Sequence, residues 1–372
     1  MTTFEKAEGI LPYTDFSKLQ FATQFASESI GVSQQTLKLM ERDHGLVINR
    51  RNAGAVPTRV YSVKDLFLIA HIRREKGLTK GLARPAIIST FVQKGGTAKT
   101  TTSVNLGIHF ALNGLKVLII DNDPQGDSTS MFGYDPDLSV KELAELGVPG
   151  DRAVDGHLGN LLGVSTYNQK TLEQVIKKPF GEHGPHIIPS EESLEDLDVA
   201  LRNANGSDFR YGLFLQKAMK GNIEGVDLSK YDAVIIDNAP SSSLLTRNSM
   251  VASDFLVCPI RMDRFSFRAL DRLSDKLEAF AQDFERRPEI FVVPTMYIKN
   301  RPRIQANMVK LNETFPGKVS DVPLYFSEDY SKSLDDGIPI MLWKQATDNS
   351  IGAMRQVFGA MLSQIRATVG SA

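Results

Sequence analysis

Eight consecutive residues, Lys94-Gly95-Gly96-Thr97-Ala98-Lys99-Thr100-Thr101, put two lysines, two glycines and three hydroxyls into one short segment. Glycines let a backbone curl until successive N–H groups face one point, which is how a loop holds a phosphate chain. A lysine after such a curl adds a point charge, and the next hydroxyl is a hard oxygen ligand for magnesium. Acidic residues recur at two further places. Asp121 and Asp123 close an apolar run in VLIIDNDPQGDST (117–129), and Asp237 closes another in YDAVIIDNAP (231–240). Carboxylates there suit phosphoryl transfer, which needs little beyond positioning and charge neutralisation. The same residues also fit plainer roles: a glycine turn beside a surface lysine, and aspartates that cap the next helix.

Such chemistry requires elements that bring the three segments to one place. Ala86–Val92 (AIISTFV) predicts a buried strand directly before the glycine loop, and Val104–Leu112 a helix after it, whose positive end would face the same anion. Lys116–Ile120, Ala233–Ile236, Phe255–Ile260 and Ile290–Pro294 predict further short apolar strands. Strands buried on both faces and separated by helical stretches predict an α/β fold, a mostly parallel twisted sheet with crossover helices. Residues 135–230 carry weak periodicity and give no clear element. The polar stretch Gly77–Pro85 marks a boundary, dividing the chain into 1–84 and 85–372.

Residues 1–84 have a different character. Phe21, Phe25 and Ile30 form an apolar stripe, Gly31 allows a tight turn, and Ser33 can cap a second helix bearing Leu37 and Met40. That is the layout of a helix-turn-helix, in which Ser33, Gln34, Gln35, Thr36 and Lys38 would face bases and phosphates of DNA. Arg50, Arg51 and Arg59, around Gly54 and Pro57, suit a wing along phosphates, and Tyr61–Arg74 predicts a Ser-capped amphipathic helix. An αα-hairpin that only mediates contacts fits the same pattern. The first 85 residues carry a net +5 and the remainder −6, so an anionic partner would favour the N-terminal unit.

KGG-x-x-K-T-T resembles the deviant Walker A loop of the ParA/MinD superfamily, and the whole is similar to the ParA family of DNA-partition ATPases in its large plasmid-type form. The resemblance implies a P-loop ATPase domain preceded by a small, mainly helical winged helix-turn-helix unit. It implies ATP and Mg2+ held by Lys94, Gly95, Gly96, Thr97, Ala98, Lys99, Thr100 and Thr101. By the same likeness, Lys94 is the signature lysine that crosses a homodimer interface, and Asp123 orients the attacking water. Thr100, Asp121 and Asp237 would hold or support the metal. Thr295, Met296 and Tyr297, within VPTMYIKNRPR (293–303), would lie near the adenine. Ala98 stands where the family commonly has glycine, which implies altered loop strain or rate rather than lost binding. The expected activity is slow ATP hydrolysis, stimulated by DNA and a ParB-type partner. Nonspecific DNA would be bound in the ATP state, with Arg301, Arg303 and Arg355 as candidate contacts, and an operator would be bound for autorepression. A nucleotide-switched repressor and a MinD-like membrane-cycling regulator are the alternatives.

Composition narrows the classes. The chain has 372 residues, 42% hydrophobic and 23% charged, as in globular proteins able to bury a core. One cysteine, Cys258, excludes an internal disulfide and a Cys-only metal site. No apolar run approaches a bilayer span and the N-terminus lacks a signal-peptide pattern, so the expectation is a cytoplasmic protein without a membrane partner, and the ParA resemblance implies association with the nucleoid. The stripe Met354, Val357, Phe358, Met361, Leu362 and Ile365 predicts a packed last helix, since only Arg355 and Arg366 flank it.

Overall fold

The computed structural model describes residues 14–51, 57–164, 167–263 and 267–372, with the side chains of 267–269 left aside. Gly54 and the first thirteen residues lie outside these.

The N-terminal unit is built on an antiparallel sheet ordered β1-β3-β2, from β1 (Gln20–Ala22), β2 (Asn49–Arg51) and β3 (Thr58–Ser62). Between β1 and β2 lie α1 (Thr23–Ile30) and α2 (Gln34–Asp43). Gly31 at φ 70° turns the chain between them, and Ser33 Oγ accepts from Thr36 N at 3.0 Å to cap α2. α3 (Val63–Glu75) starts from a capping box of Ser62 and Asp65. Tyr61, the first residue of the segment expected to form that helix, lies instead in β3, opposite Phe21 of β1 and one residue before the Ser62 cap. The alternating pattern of Thr58–Ser62 pairs with strands on both sides and outweighs the helical reading.

The second unit is a six-stranded parallel sheet ordered β6-β5-β7-β4-β8-β9. β4 (Ala86–Thr90) leads through the glycine loop into α4 (Lys99–Leu112), β5 (Val117–Asn122) and α5 (Asp127–Met131). Short helices α6 (Val140–Glu145) and α7 (Leu172–Val175) precede β6 (His186–Ile188), a three-residue strand too brief to read from sequence. α8 (Glu195–Arg202) and α9 (Arg210–Ala218) then lead to β7 (Ala233–Asn238). α10 (Leu244–Ala252), β8 (Phe255–Arg261), α11 (Phe267–Phe284), β9 (Glu289–Thr295), α12 (Pro302–Thr314), α13 (Asp329–Asp335) and α14 (Ala353–Val369) complete it. The chain crosses from one side of β4 to the other, and the strands' carboxyl ends gather there, which is where α/β sheets hold ligands.

The two units share one buried cluster. Phe180 meets Phe16 at 4.7 Å, Phe67 at 5.7 Å and Phe132 at 5.4 Å between ring centroids, joining N-terminal aromatics to the end of α5. α14 lies in the same core, with Met354, Val357, Phe358, Met361, Leu362 and Ile365 buried as expected. Its Arg355, a candidate DNA contact, packs instead against α1: the guanidinium donates to Ser29 Oγ at 3.2 Å and lies 3.8 Å from Glu28. Cys258 is buried in β8, and burial pushes its thiol up to about 12, the state of a core residue rather than a nucleophile.

Candidate functional site

The glycine loop lies at the carboxyl end of β4, exposed from Lys94 to Gly96. No atom lies within 4 Å of where a side chain would begin at Gly95, so the space in front of the backbone is open. Gly96 has φ 66° and Ala98 φ 71°, both left-handed, and this double reversal turns the chain into α4. An alanine pays a steric penalty there that glycine does not. Ala98 is fixed nevertheless, because its carbonyl accepts from Thr102 N at 2.9 Å and Thr102 Oγ1 at 2.7 Å.

Two flanking strands brace the loop. Arg261, at the end of β8, donates to Gly96 O at 3.1 Å while paired with Asp263 at 2.6 Å. Thr295 Oγ1, at the end of β9, donates to Thr97 O at 3.3 Å. Met296 follows with φ 54°, and the Tyr297 ring lies 5.9 Å from that of Tyr325. The segment expected near an adenine therefore abuts the phosphate loop.

Lys99 is largely buried at the first turn of α4. Burial lowers its pKa, and Asp237, Asp123 and Asp127 oppose that shift. The Lys99 ammonium thus lies within electrostatic reach of three carboxylates. Asp237, fully buried, accepts at Oδ1 from Ser103 Oγ (2.7 Å) and Thr90 Oγ1 (3.0 Å), and at Oδ2 from Ser128 Oγ (2.8 Å). Three hydroxyls therefore hold this buried carboxylate in place. Ser103 lies one turn beyond Lys99, so it could have been inferred from the helix period. Thr90 and Ser128 reach Asp237 only through strand order and the α5 turn.

Asp121 is placed differently from Asp237. Its Oδ2 accepts from Thr129 N at 2.8 Å and Thr129 Oγ1 at 2.7 Å, so it anchors α5 from behind. Burial, then Asp237, raises its pKa well above the carboxylate range. Asp123 accepts from Gln125 N at 3.1 Å, and burial raises its pKa too. Thr100 and Thr101 line a cavity of about 260 Å3 together with Asp127, Met131, Leu334 and Ile338. Among the described residues, no group of three His, Cys, Asp or Glu could hold a metal alone. A hydroxyl beside carboxylates at an anion cradle is instead the donor set of a magnesium ion that keeps waters and phosphate oxygens as its other ligands.

In the N-terminal unit, Gln34, Gln35, Thr36, Lys38, Arg50 and Arg51 are exposed, with the Ser33 hydroxyl held in the helix cap. Arg59 is engaged within the unit: it pairs at 2.8 Å with Glu41, which also accepts from the Tyr61 hydroxyl. That ties α2 to β3. The expected phosphate contact is thus, in this structure, a strut.

The model of a family described as an AAA domain matches residues 85–290, more than half of the chain. The chromosome partitioning protein ParA of Caulobacter vibrioides is 27% identical over 252 residues, which is 68% of this chain and 84% of that protein. A cobyrinic acid a,c-diamide synthase from Mycobacterium smegmatis, solved with bound ADP and magnesium, superposes with a TM-score of 0.57 at 20% identity. It covers 76% of this chain and 96% of its own. A solved partition protein covers 95% of this chain and 94% of its own at a TM-score of 0.60 and 15% identity, so the N-terminal unit falls within a shared fold. With the loop, the two strand-end aspartates and the parallel sheet in one arrangement, the chain belongs to the ParA family of P-loop partition ATPases.

Proposed function

We propose that this protein is a DNA-partition ATPase that closes into a homodimer on Mg-ATP and binds DNA in that state. It is released when a ParB-type partner stimulates hydrolysis. One observation carries the reading: an open, doubly reversed loop leads into α4 at the end of β4, with Asp237 held by three hydroxyls at the end of the neighbouring β7. The backbone N–H groups of residues 95–100 and the positive end of α4 would hold the phosphates, with Lys99 at the β- and γ-positions. Thr100 would ligate Mg2+, with Asp237 in its outer shell and Asp121 supporting from behind α5. When bound, the metal neutralises charge on the transferring phosphoryl group. Asp123 would orient the attacking water, and Lys94 would reach the partner's nucleotide. Thr295, Met296 and Tyr297 would border the adenine. A site completed only in the dimer gives slow turnover.

The N-terminal unit would read an operator with α2 and lay Arg50 and Arg51 along phosphates, allowing autorepression. Nonspecific DNA binding would then draw on exposed residues such as Arg301 and Arg303, giving a nucleoid-associated protein. The apolar stripe of α14, the segment weighed for a membrane-cycling role, is buried in the core. No described helix is long and apolar enough to cross a membrane. The discriminating experiment measures ATP hydrolysis and nonspecific DNA binding on one preparation, wild type beside Lys94→Ala, with ATP, ADP and no nucleotide. ATP-dependent, salt-sensitive DNA binding with weak hydrolysis, both impaired by the substitution, supports partition. DNA binding indifferent to nucleotide and to Lys94 refutes it in favour of a repressor.

A further inference from the structure

The strand ends carry a second buried polar set that phosphate chemistry leaves unused. Asn122 and Asn238 follow Asp121 and Asp237 by one residue, so they point to the other face of the sheet. β5 and β7 are parallel neighbours with Asn122 opposite Asn238. Asn122 Nδ2 donates to Asn238 Oδ1 at 2.7 Å. Tyr211 Oη, from α9, donates to Asn122 Oδ1 at 2.6 Å. Ser249 Oγ, from α10, lies 2.7 Å from Asn238 Oδ1, and Asn238 Nδ2 donates to Thr90 O at 2.8 Å. All four side chains are at most 1% exposed. Burying two amides, a phenol and a hydroxyl together is costly unless each is satisfied, and here the partners satisfy one another.

The set lies where two loops of the proposed site begin, after β5 and after β7. A cleft of about 270 Å3 opens beside it, lined by Asn122, Asp123, Gln125, Ala239, Ser241 and Ser243. One wall is the loop after β5, which carries Asp123, and the other is the loop after β7, which follows Asp237. We infer that Asn122, Asn238 and Tyr211 form a latch that holds these two loops in register, and that Tyr211 is a positioning residue for Asp123. Main-chain pairing ends with this residue pair, so the amide bridge is the last tie before the loops part. Tyr211 controls it from a helix that does not touch the phosphate side, because its hydroxyl fixes which way the Asn122 amide faces.

The rate part of this inference rests on the ATPase reading, and a second readout does not. In the full-length protein, Tyr211→Phe should speed amide exchange at Asp123, Gln125 and Gly126 about tenfold while exchange in β4 stays unchanged. It should lower kcat about tenfold with KM for ATP within about twofold. A triple variant with Tyr211→Phe, Asn122→Leu and Asn238→Val refills the space with apolar groups. It should recover the thermal midpoint but not kcat, because packing is restored and orientation is not. Unchanged exchange at Asp123, Gln125 and Gly126 in Tyr211→Phe overturns the latch whatever turnover does. Recovery of kcat together with the midpoint in the triple variant also overturns it, by reducing the set to filling. If the wild type binds ATP without any turnover, the ATPase reading fails while the exchange result still decides the latch.

Discussion

The alanine at the end of the phosphate loop offers a test whose sign is unusual. Ala98 precedes α4 at φ 71° and ψ 32°, and its carbonyl receives both the amide and the hydroxyl of Thr102. An L-residue with a Cβ pays roughly 1–2 kcal/mol in the left-handed region. Glycine pays none of that but loses about 0.5–1 kcal/mol more backbone entropy on folding. Ala98→Gly should therefore stabilise by roughly 0.5–1 kcal/mol. Unfolding entropy scales at about 2.1 cal/mol/K per residue, so the midpoint should rise by about 1 °C for a chain of 372 residues. Ala98→Val works in the opposite direction. A β-branched residue at positive φ strains the turn by about 3 kcal/mol, which lowers the midpoint by roughly 4 °C. The deformation falls on the loop proposed to hold phosphate, so ATP affinity should fall at least about tenfold in the valine variant. Scanning fluorimetry on replicate samples reads the midpoints, and titration of a fluorescent ATP analogue reads affinity. If helix propensity governed this position instead, glycine would cost about 1 kcal/mol relative to alanine. A fall in midpoint for Ala98→Gly refutes the strain argument.

Three further expectations follow from the same geometry. Ser103→Ala removes one of the two hydroxyls on Asp237 Oδ1. It should cost about 1–2 kcal/mol, seen as a lower urea midpoint, whereas an unchanged midpoint would mean that Thr90 alone suffices. Arg59→Ala should lose about 1–2 kcal/mol because it strands a buried Glu41, while Arg50→Ala and Arg51→Ala stay within about 0.5 kcal/mol. In DNA titrations the two exposed arginines should each reduce the salt slope by about one, and a larger effect from Arg59 would reverse these assignments. His109 is pushed down to about 4, first by burial and then by Arg355 and Arg366. Its folded pKa lies below its unfolded one near 6.5, so the unfolded state binds the extra proton. The stability this neutral imidazole contributes is complete above about pH 6.5 and is lost as pH falls toward 4. Between pH 7 and 5 the loss amounts to about 2 kcal/mol, and His109→Asn should flatten urea stability by that amount across the same interval.

What could be read from the chain and what could not divides by sequence distance. The phosphate loop is contiguous, so Lys94 to Thr101 announced themselves by type and spacing, as did the apolar runs that became β4, β5, β7, β8 and β9. Ser33 was legible as a cap because a cap acts within three residues. The hydroxyl set on Asp237 was not legible, since Thr90, Ser103 and Ser128 meet it only after β4, β5 and β7 are ordered side by side. The pair Asn122 and Asn238 was hidden for the same reason, being 116 positions apart in the chain and opposite each other in the sheet. Arg59 read as a phosphate contact because charge is visible in a sequence and Glu41, eighteen residues away, is not visibly its partner. Residues 135–230 gave little because their helices are short and β6 has three residues, below the length at which periodicity registers.

The shared aromatic cluster sets an order on synthesis. A ribosome releases the N-terminal unit first, and in a self-contained domain it would finish folding there. Here Phe16 and Phe67 wait for Phe180, and Ser29 waits for Arg355, which emerges 326 residues later. Until Phe180 and Arg355 emerge, Phe16, Phe67 and Ser29 lack these partners while the nascent chain is still tethered. The arrangement favours a protein whose N-terminal unit becomes fully formed only after the second unit is complete. Partial chains then make poor decoys for the DNA that the whole protein would bind.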